Sequence, residues 1–210
     1  MVGNIVLSTL IVCIPSTLIS ILLAVPSGYI LKIKRFKGRR FIIRAVYTLS
    51  GLPPVLAGLV VYMMLSNKGP LGFLNILFTK WAMVIAQVIL IVPIVILYTL
   101  SGLKNIFVLL DNLDYLDIRG KKRYLIMIRE YSRELIYASV LGLSRAISEV
   151  GAVLIVGGNI EGETRILTTA IIHEVSKGEF SRALMLGLIL LAISFGFNTA
   201  LQVLQGDIVD

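Results

Sequence analysis

The sequence predicts an all-α membrane protein, with about five transmembrane helices in one domain over residues 1–210. Three observations carry that reading. Hydrophobic residues make up 57% of the chain and charged residues 15%, with a mean hydropathy of +0.93; soluble domains carry roughly 25% charge. Apolar runs recur that reach the length of about 20 residues needed to cross a bilayer. The basic residues collect in alternate connections between those runs.

The first expected span, 3–31, contains no charge. Its positive residues follow it: Lys32, Lys34, Arg35, Lys37, Arg39, Arg40 and Arg44, with no acid among them. A signal peptide would carry them in front. By the positive-inside rule this connection is cytoplasmic and the amino terminus lies outside. Pro15 and Pro26 should bend the helix, which a membrane tolerates when neighbours resatisfy the freed carbonyls. The second expected span, 45–66, has Pro53-Pro54 in its first half. The loop after it carries two lysines and Gly69-Pro70, a turn signal, and is expected outside. Trp81, beside Lys80, stands where an aromatic interface anchor belongs and opens the third expected span, 81–103, with Pro93 near its middle.

A charged segment over 104–134 follows, and alternation of sides puts it in the cytoplasm. With the first connection and Lys104 it places fourteen of the twenty Lys and Arg residues on one face. Topology thereby explains the net charge of +8 without invoking nucleic acid. Leu109, Leu113 and Leu116 keep helical spacing, Gly120 interrupts, and Tyr124, Leu125 and Ile128 resume an apolar face. The pattern is helix, elbow, helix. Such a segment can lie among lipid headgroups or project into a groove on a soluble partner, and periodicity does not choose between them.

Residues 135–156 and 183–205 are the fourth and fifth expected spans, which leaves the carboxyl terminus inside. Between them, outside, Ile166, Leu167, Ala170, Ile171 and Val175 share one helical face. That spacing predicts a short amphipathic helix over 164–176, ended by Gly178. No internal repeat or linker divides the chain.

Few residues invite chemistry. The sequence holds no GxxxxGK[ST] phosphate loop. Cys13 is alone and forms no internal disulfide. His173 has Glu174 beside it but no metal-ligand spacing, and reads as a surface residue of the outer helix. No catalytic grouping, bound cofactor or metal is expected. Two charges, Arg145 and Glu149, do lie inside the fourth span, where insertion scales put the penalty at about 2.5–3.5 kcal/mol each. Their i,i+4 spacing brings them within reach of each other. Either they form a structural ion pair, or they line a passage or its gate; the two are compatible. The same helix is expected to run on through Gly151 to Gly157 and Gly158, whose small size permits close helix packing, and to end at Gly157-Gly158-Asn159. Gly157 and Asn159 join the pair as candidates for a pathway or gate.

The charged segment resembles the EAA loop of ABC-importer permeases in a reduced form. That family shows Glu-Ala-Ala, three residues, then Gly; here Asp114, Tyr115 and Leu116 stand for the first three and Gly120 is kept. RAISEVGAVLIVGGNIEGETRILTTAIIHEVSKGEFSRALMLGLILL and SGLPPVLAGLVVYMMLSNKGPLG are similar to the tungstate-type permeases, close to the molybdate permeases. The resemblance covers nearly the whole chain. It implies a type I ABC importer permease in a prokaryotic cell membrane, in which two copies of the chain form the pathway. Two separate ABC ATPase subunits would bind at the cytoplasmic face and use the ATP, and an extracellular or periplasmic binding protein would deliver the oxyanion. The ATPase-coupling loop would comprise Asp111, Asp114, Tyr115, Leu116, Arg119, Gly120 and Arg123. The missing alanines imply a coupling helix fitted to its own ATPase. The rival from another class is a stand-alone secondary transporter or channel for an anion, using Arg145 and Glu149 for ion coupling; such carriers more often show a repeat between their halves.

Overall fold

A backbone entering an apolar medium must satisfy its own hydrogen bonds, and helices do so locally. The computed structural model describes residues 2–115 and 120–204, with the side chains of 104–124, 127, 128, 131, 201, 202 and 204 excepted. In chain order its helices are α1 (Val2–Ile33), α2 (Arg39–Ser50), α3 (Pro54–Leu65), α4 (Lys80–Tyr115), α5 (Gly120–Ser148), α6 (Gly151–Gly157), α7 (Leu167–Ser176) and α8 (Phe180–Leu204), with a short 3-10 turn at Gly72–Leu74. Among the described residues α1, α4 and α8 are long and apolar enough to cross a membrane. The number rises to five when each of two bent pairs is taken as one span.

Those bent pairs correct two expected spans. The second is not one helix over 45–66: α2 begins at Arg39, and α2 and α3 meet at 105°. Pro53 and Pro54 supply no N–H, and each disfavours helix in the residue before it. Pro53 is extended (φ −59°, ψ 129°) and Pro54 opens α3 at a position where its missing donor is harmless. The fourth does not run on to Gly157 as expected either. It breaks after Ser148, Val150 leaves helical geometry (φ −125°, ψ −55°), and α6 restarts at Gly151 with a 60° bend. By contrast Pro15 and Pro26 lie inside an unbroken α1, where Ser16, Thr17, Ser20 and Ser27 donate to carbonyls four residues back.

α4 has 36 residues, about 54 Å of helix against a hydrocarbon core about 30 Å thick. It continues past the expected span end to Tyr115, and α5 begins at Gly120. The third and fourth spans therefore extend themselves to either side of the expected elbow. Residues 116–119, with Leu116 and Arg119, lie outside the described residues, as do the side chains of Asp111, Asp114, Tyr115 and Arg123.

α1 packs along α4 and α5, α3 on α6, and α7 on α8 and α1. One core gathers Val12, Ala57, Val61, Met83, Ala86 and Val153 between α1, α3, α4 and α6. A second gathers Cys13, Ala24, Val95, Ala138 and Ala146 between α1, α4 and α5. Outside, α8 exposes Leu184, Leu188, Leu191 and Phe195 on one stripe, and α1 exposes Leu7, Ile11, Leu18 and Leu22. Such faces suit lipid.

The tightest approach between the bent pairs is at Gly58, where a Cβ would come 2.7 Å from the Cα of Ala152. Gly58→Val should therefore destabilise the fold by about 1–3 kcal/mol, the usual penalty of overpacking. Gly187→Ala, with open space around it, should change little. Thermal unfolding in detergent compares them.

Candidate functional site

The break between α5 and α6 brings charge, hydrogen bonding and helix ends together. Arg145 lies in the last turn of α5 and Glu149 just past it. Their spacing closes an ion pair, Arg145 Nη2 to Glu149 Oε2 at 3.3 Å, as the sequence led one to expect. The partners are unequally placed: the Glu149 side chain is 2% exposed and that of Arg145 32%. Glu149 Oε1 accepts from the Ala152 N–H at 3.1 Å, so one carboxylate takes Arg145 from α5 with one oxygen and satisfies a free donor of α6 with the other. The Glu149 carbonyl in turn accepts from Thr168 Oγ1 at 3.1 Å. Arg145 Nε is buried and has no partner among the described residues. The guanidinium thus keeps donor capacity beyond its bond to Glu149.

Opposite the break sits α3. A Cβ on Gly151 would meet Val55 and Pro54, and Gly58 meets Ala152. The two broken helices therefore abut near their breaks.

Beneath the pair lies Gln87 of α4, fully buried. Its Oε1 accepts from Ser16 Oγ of α1 at 2.6 Å, and its Nε2 donates to the Ala146 carbonyl at 3.0 Å. Ala146 is in the last turn of α5, where its carbonyl keeps only a long local bond, from the Glu149 N–H at 3.3 Å. One amide therefore ties α1 and α4 to the end of α5. Neither Gln87 nor Ser16 stood out in the sequence reading; an amide inside the apolar run 81–103 was the available signal.

The outer helix starts at Leu167 rather than Thr164. Its Leu167 N–H donates to Thr9 Oγ1 of α1 at 3.0 Å. Ile166, Leu167 and Ala170 are buried as expected, Val175 is 46% exposed, and Thr168 and Thr169 are buried in addition. Their hydroxyls are bonded, to Glu149 and Ile166, so burying them leaves no polar group orphaned. His173 is half-buried on this helix.

Gly157 and Asn159 are not assembled with the ion pair. They lie at the other end of α6, about 10 Å of helix away. Gly157 is buried against Met83, and its carbonyl accepts from Thr164. Gly158 ends the helix in the left-handed region (φ +69°), where glycine is favoured. Asn159 Oδ1 accepts from Arg165 Nε at 3.3 Å. These residues brace the connection from α6 to α7.

No protein-family profile matches the chain. Individual proteins do. It is 42% identical over 193 residues to the tungstate uptake system permease protein TupB of Peptoclostridium acidaminophilum, covering 91% of this chain and 85% of that one. The protein of the same name from Campylobacter jejuni is 40% identical over 167 residues, 78% of this chain and 69% of its own. A probable anion ABC transporter permease protein of Haloferax volcanii is 38% identical over 188 residues, 86% and 80% of the two chains.

Gln87→Leu should lower stability by about 1 kcal/mol, because two hydrogen bonds between helices are lost while the Ser16 hydroxyl keeps the Val12 carbonyl and the Ala146 carbonyl keeps the Glu149 N–H. Ser16→Ala should cost less when added to that variant than when made alone. A double-mutant cycle of thermal unfolding in detergent measures the coupling.

Proposed function

This chain belongs to the permease family of ABC anion transporters, and from that premise we propose that it is the membrane-spanning subunit of an ATP-driven oxyanion importer in a prokaryotic cell membrane, for tungstate first and molybdate next. The observation that carries the substrate is the 42% identity, over 91% of the chain, to a tungstate uptake permease. Two copies form the pathway. Two ABC ATPase subunits bind at the cytoplasmic face and use the ATP, and an oxyanion-binding protein delivers cargo at the outer face. The amino terminus is outside and the carboxyl terminus inside.

In this reading the segment from Asp111 to Arg123, with Gly120 as its elbow, docks on the ATPase. α5 supports the reading because it is one helix from Gly120 to the break at Glu149. A push at its cytoplasmic end therefore reaches the ion pair without crossing a flexible joint. ATP binding and hydrolysis then bias two packings of the bundle. Arg145, whose side chain is a third exposed, is the group offered to a passing oxyanion; guanidinium is well suited to bidentate oxyanion contacts. Glu149 holds it and the hinge together.

Reconstituted with its ATPase and binding protein, the permease should take up tungstate only with ATP. Transport down an ion gradient with no ATPase present would make the chain a secondary carrier and end this reading.

Gly120→Phe should leave folding largely intact and raise the ATP hydrolysed per tungstate imported several-fold; unchanged uptake and assembly would make 104–134 an interfacial segment only. Arg145→Ala should cut uptake by about tenfold or more, and Glu149→Gln by less, since the first removes the guanidinium offered to the oxyanion whereas the second keeps it and its amide oxygen preserves an acceptor for the Ala152 N–H. Equal and negligible effects in the uptake assay would remove the pair from the pathway.

A further inference from the structure

The connection between α1 and α2 builds a second charged site, apart from the Arg145–Glu149 pair. Arg35, Phe36, Gly38, Arg39 and Arg40 line a cavity of about 480 Å³. Arg39 is fixed at its rim by donating from Nε to the Leu31 carbonyl at the end of α1, 2.5 Å away. Arg35 and Arg40 are exposed. The sequence supplies no acid before Asp111, and none of the ion pairs among the described residues involves these arginines. The apolar surroundings are equally marked: Ile33 is 46% exposed, Phe36 42% and Phe41 76%, interleaved with the charges. The 105° turn into α3 sets α2 across the direction of that helix, as in a helix lying along a membrane surface.

We propose that this cavity is a headgroup site for an anionic phospholipid. Three guanidinium groups around one cavity suit a phosphodiester anion, each offering paired N–H donors. Phe36 within the cavity, with Ile33 and Phe41 beside it, suits the first methylenes of the acyl chains. A free inorganic anion has no use for those rings, and a general attraction of positive loops to an anionic leaflet needs no cavity. The lipid would pin the turn from α1 into α2 at the bilayer surface. The inference rests on the membrane character of the chain and not on what it transports.

The test uses the full chain in nanodiscs of phosphatidylcholine with and without phosphatidylglycerol, with bound lipid counted by native mass spectrometry. Arg35→Gln with Arg40→Gln removes two charges from the cavity; Lys34→Gln with Lys37→Gln removes two from the same connection but outside it. All four side chains lie on the surface or at its edge, and thermal unfolding verifies that the variants are folded. Wild type and the lysine variant should retain phosphatidylglycerol over phosphatidylcholine equally, and the arginine variant should lose roughly tenfold of that preference. No preference in the wild type overturns the site. Equal losses in both variants overturn it in favour of diffuse charge, and displacement of the lipid by millimolar orthophosphate or tungstate in favour of a soluble-anion site. An arginine variant that keeps its lipid but no longer holds ATPase subunits assigns the surface to a protein partner instead.

Discussion

A carboxylate that is 2% exposed at a break in a membrane helix is the constraint on which this structure depends. Leaving such a group unpaired costs several kcal/mol, so its surroundings must answer it. They do so from both halves of the helix: Arg145 at 3.3 Å from α5 and the Ala152 N–H at 3.1 Å from α6. The interruption that frees the donor of α6 also creates the place where the charge can be buried. An intact helix through 149–152 would have used that N–H internally and left Glu149 with Arg145 alone. Pair and break therefore stabilise each other, and removing either exposes the other's penalty.

The packing around the break follows from the same need. A helix that bends by 60° uncovers carbonyls on one side, and Gln87 meets the one at Ala146. On the other side α3 closes in, which is possible because Gly58 and Gly151 have no side chains to hold it away. α3 can start at that depth because Pro53 and Pro54 have already ended α2. The two bends are thus one arrangement, in which each broken helix fills the space the other opens.

How much of this the sequence shows depends on the separation of the residues involved. The Arg145–Glu149 contact is legible because both charges stand four residues apart in an apolar run, and the long apolar α1, α4 and α8 are legible from length alone. The proline pair was legible as a disturbance, but its size was not: a kink inside one span and a 105° turn share the same local signal. The break at Val150 has no proline. It depends on α3, nearly a hundred residues earlier in the chain, and on the buried carboxylate. The Ser16–Gln87 bond spans 71 positions and lies beyond any periodicity. Thr168 and Thr169 carry no signal of their burial in the sequence, because their bonding partners become visible only once α7 docks. Gly157 and Asn159 were grouped with the ion pair as parts of one helix, and the length of α6 separates them.

The two sides of the break differ in how firmly they are held, and that difference decides which can move. α6 is short and is gripped at both ends, by α3 through Gly58 and Gly151, and by Thr164 and Met83 at Gly157. α5 is four times as long (29 residues against 7), and its first residue, Gly120, stands about 40 Å along the helix from the break. A displacement applied near Gly120 therefore acts with a long arm on a joint whose far side is clamped. At that joint the connections are an ion pair, two hydrogen bonds of Glu149 and one of Gln87, all of which can exchange partners more readily than a packed core can be rebuilt. In the importer proposed here, tilting α5 would shift Arg145 while Ala152 and Thr168 keep hold of Glu149. The guanidinium would then be drawn from its carboxylate at the moment the passage rearranges, freeing it for an oxyanion that meets the same geometric demands.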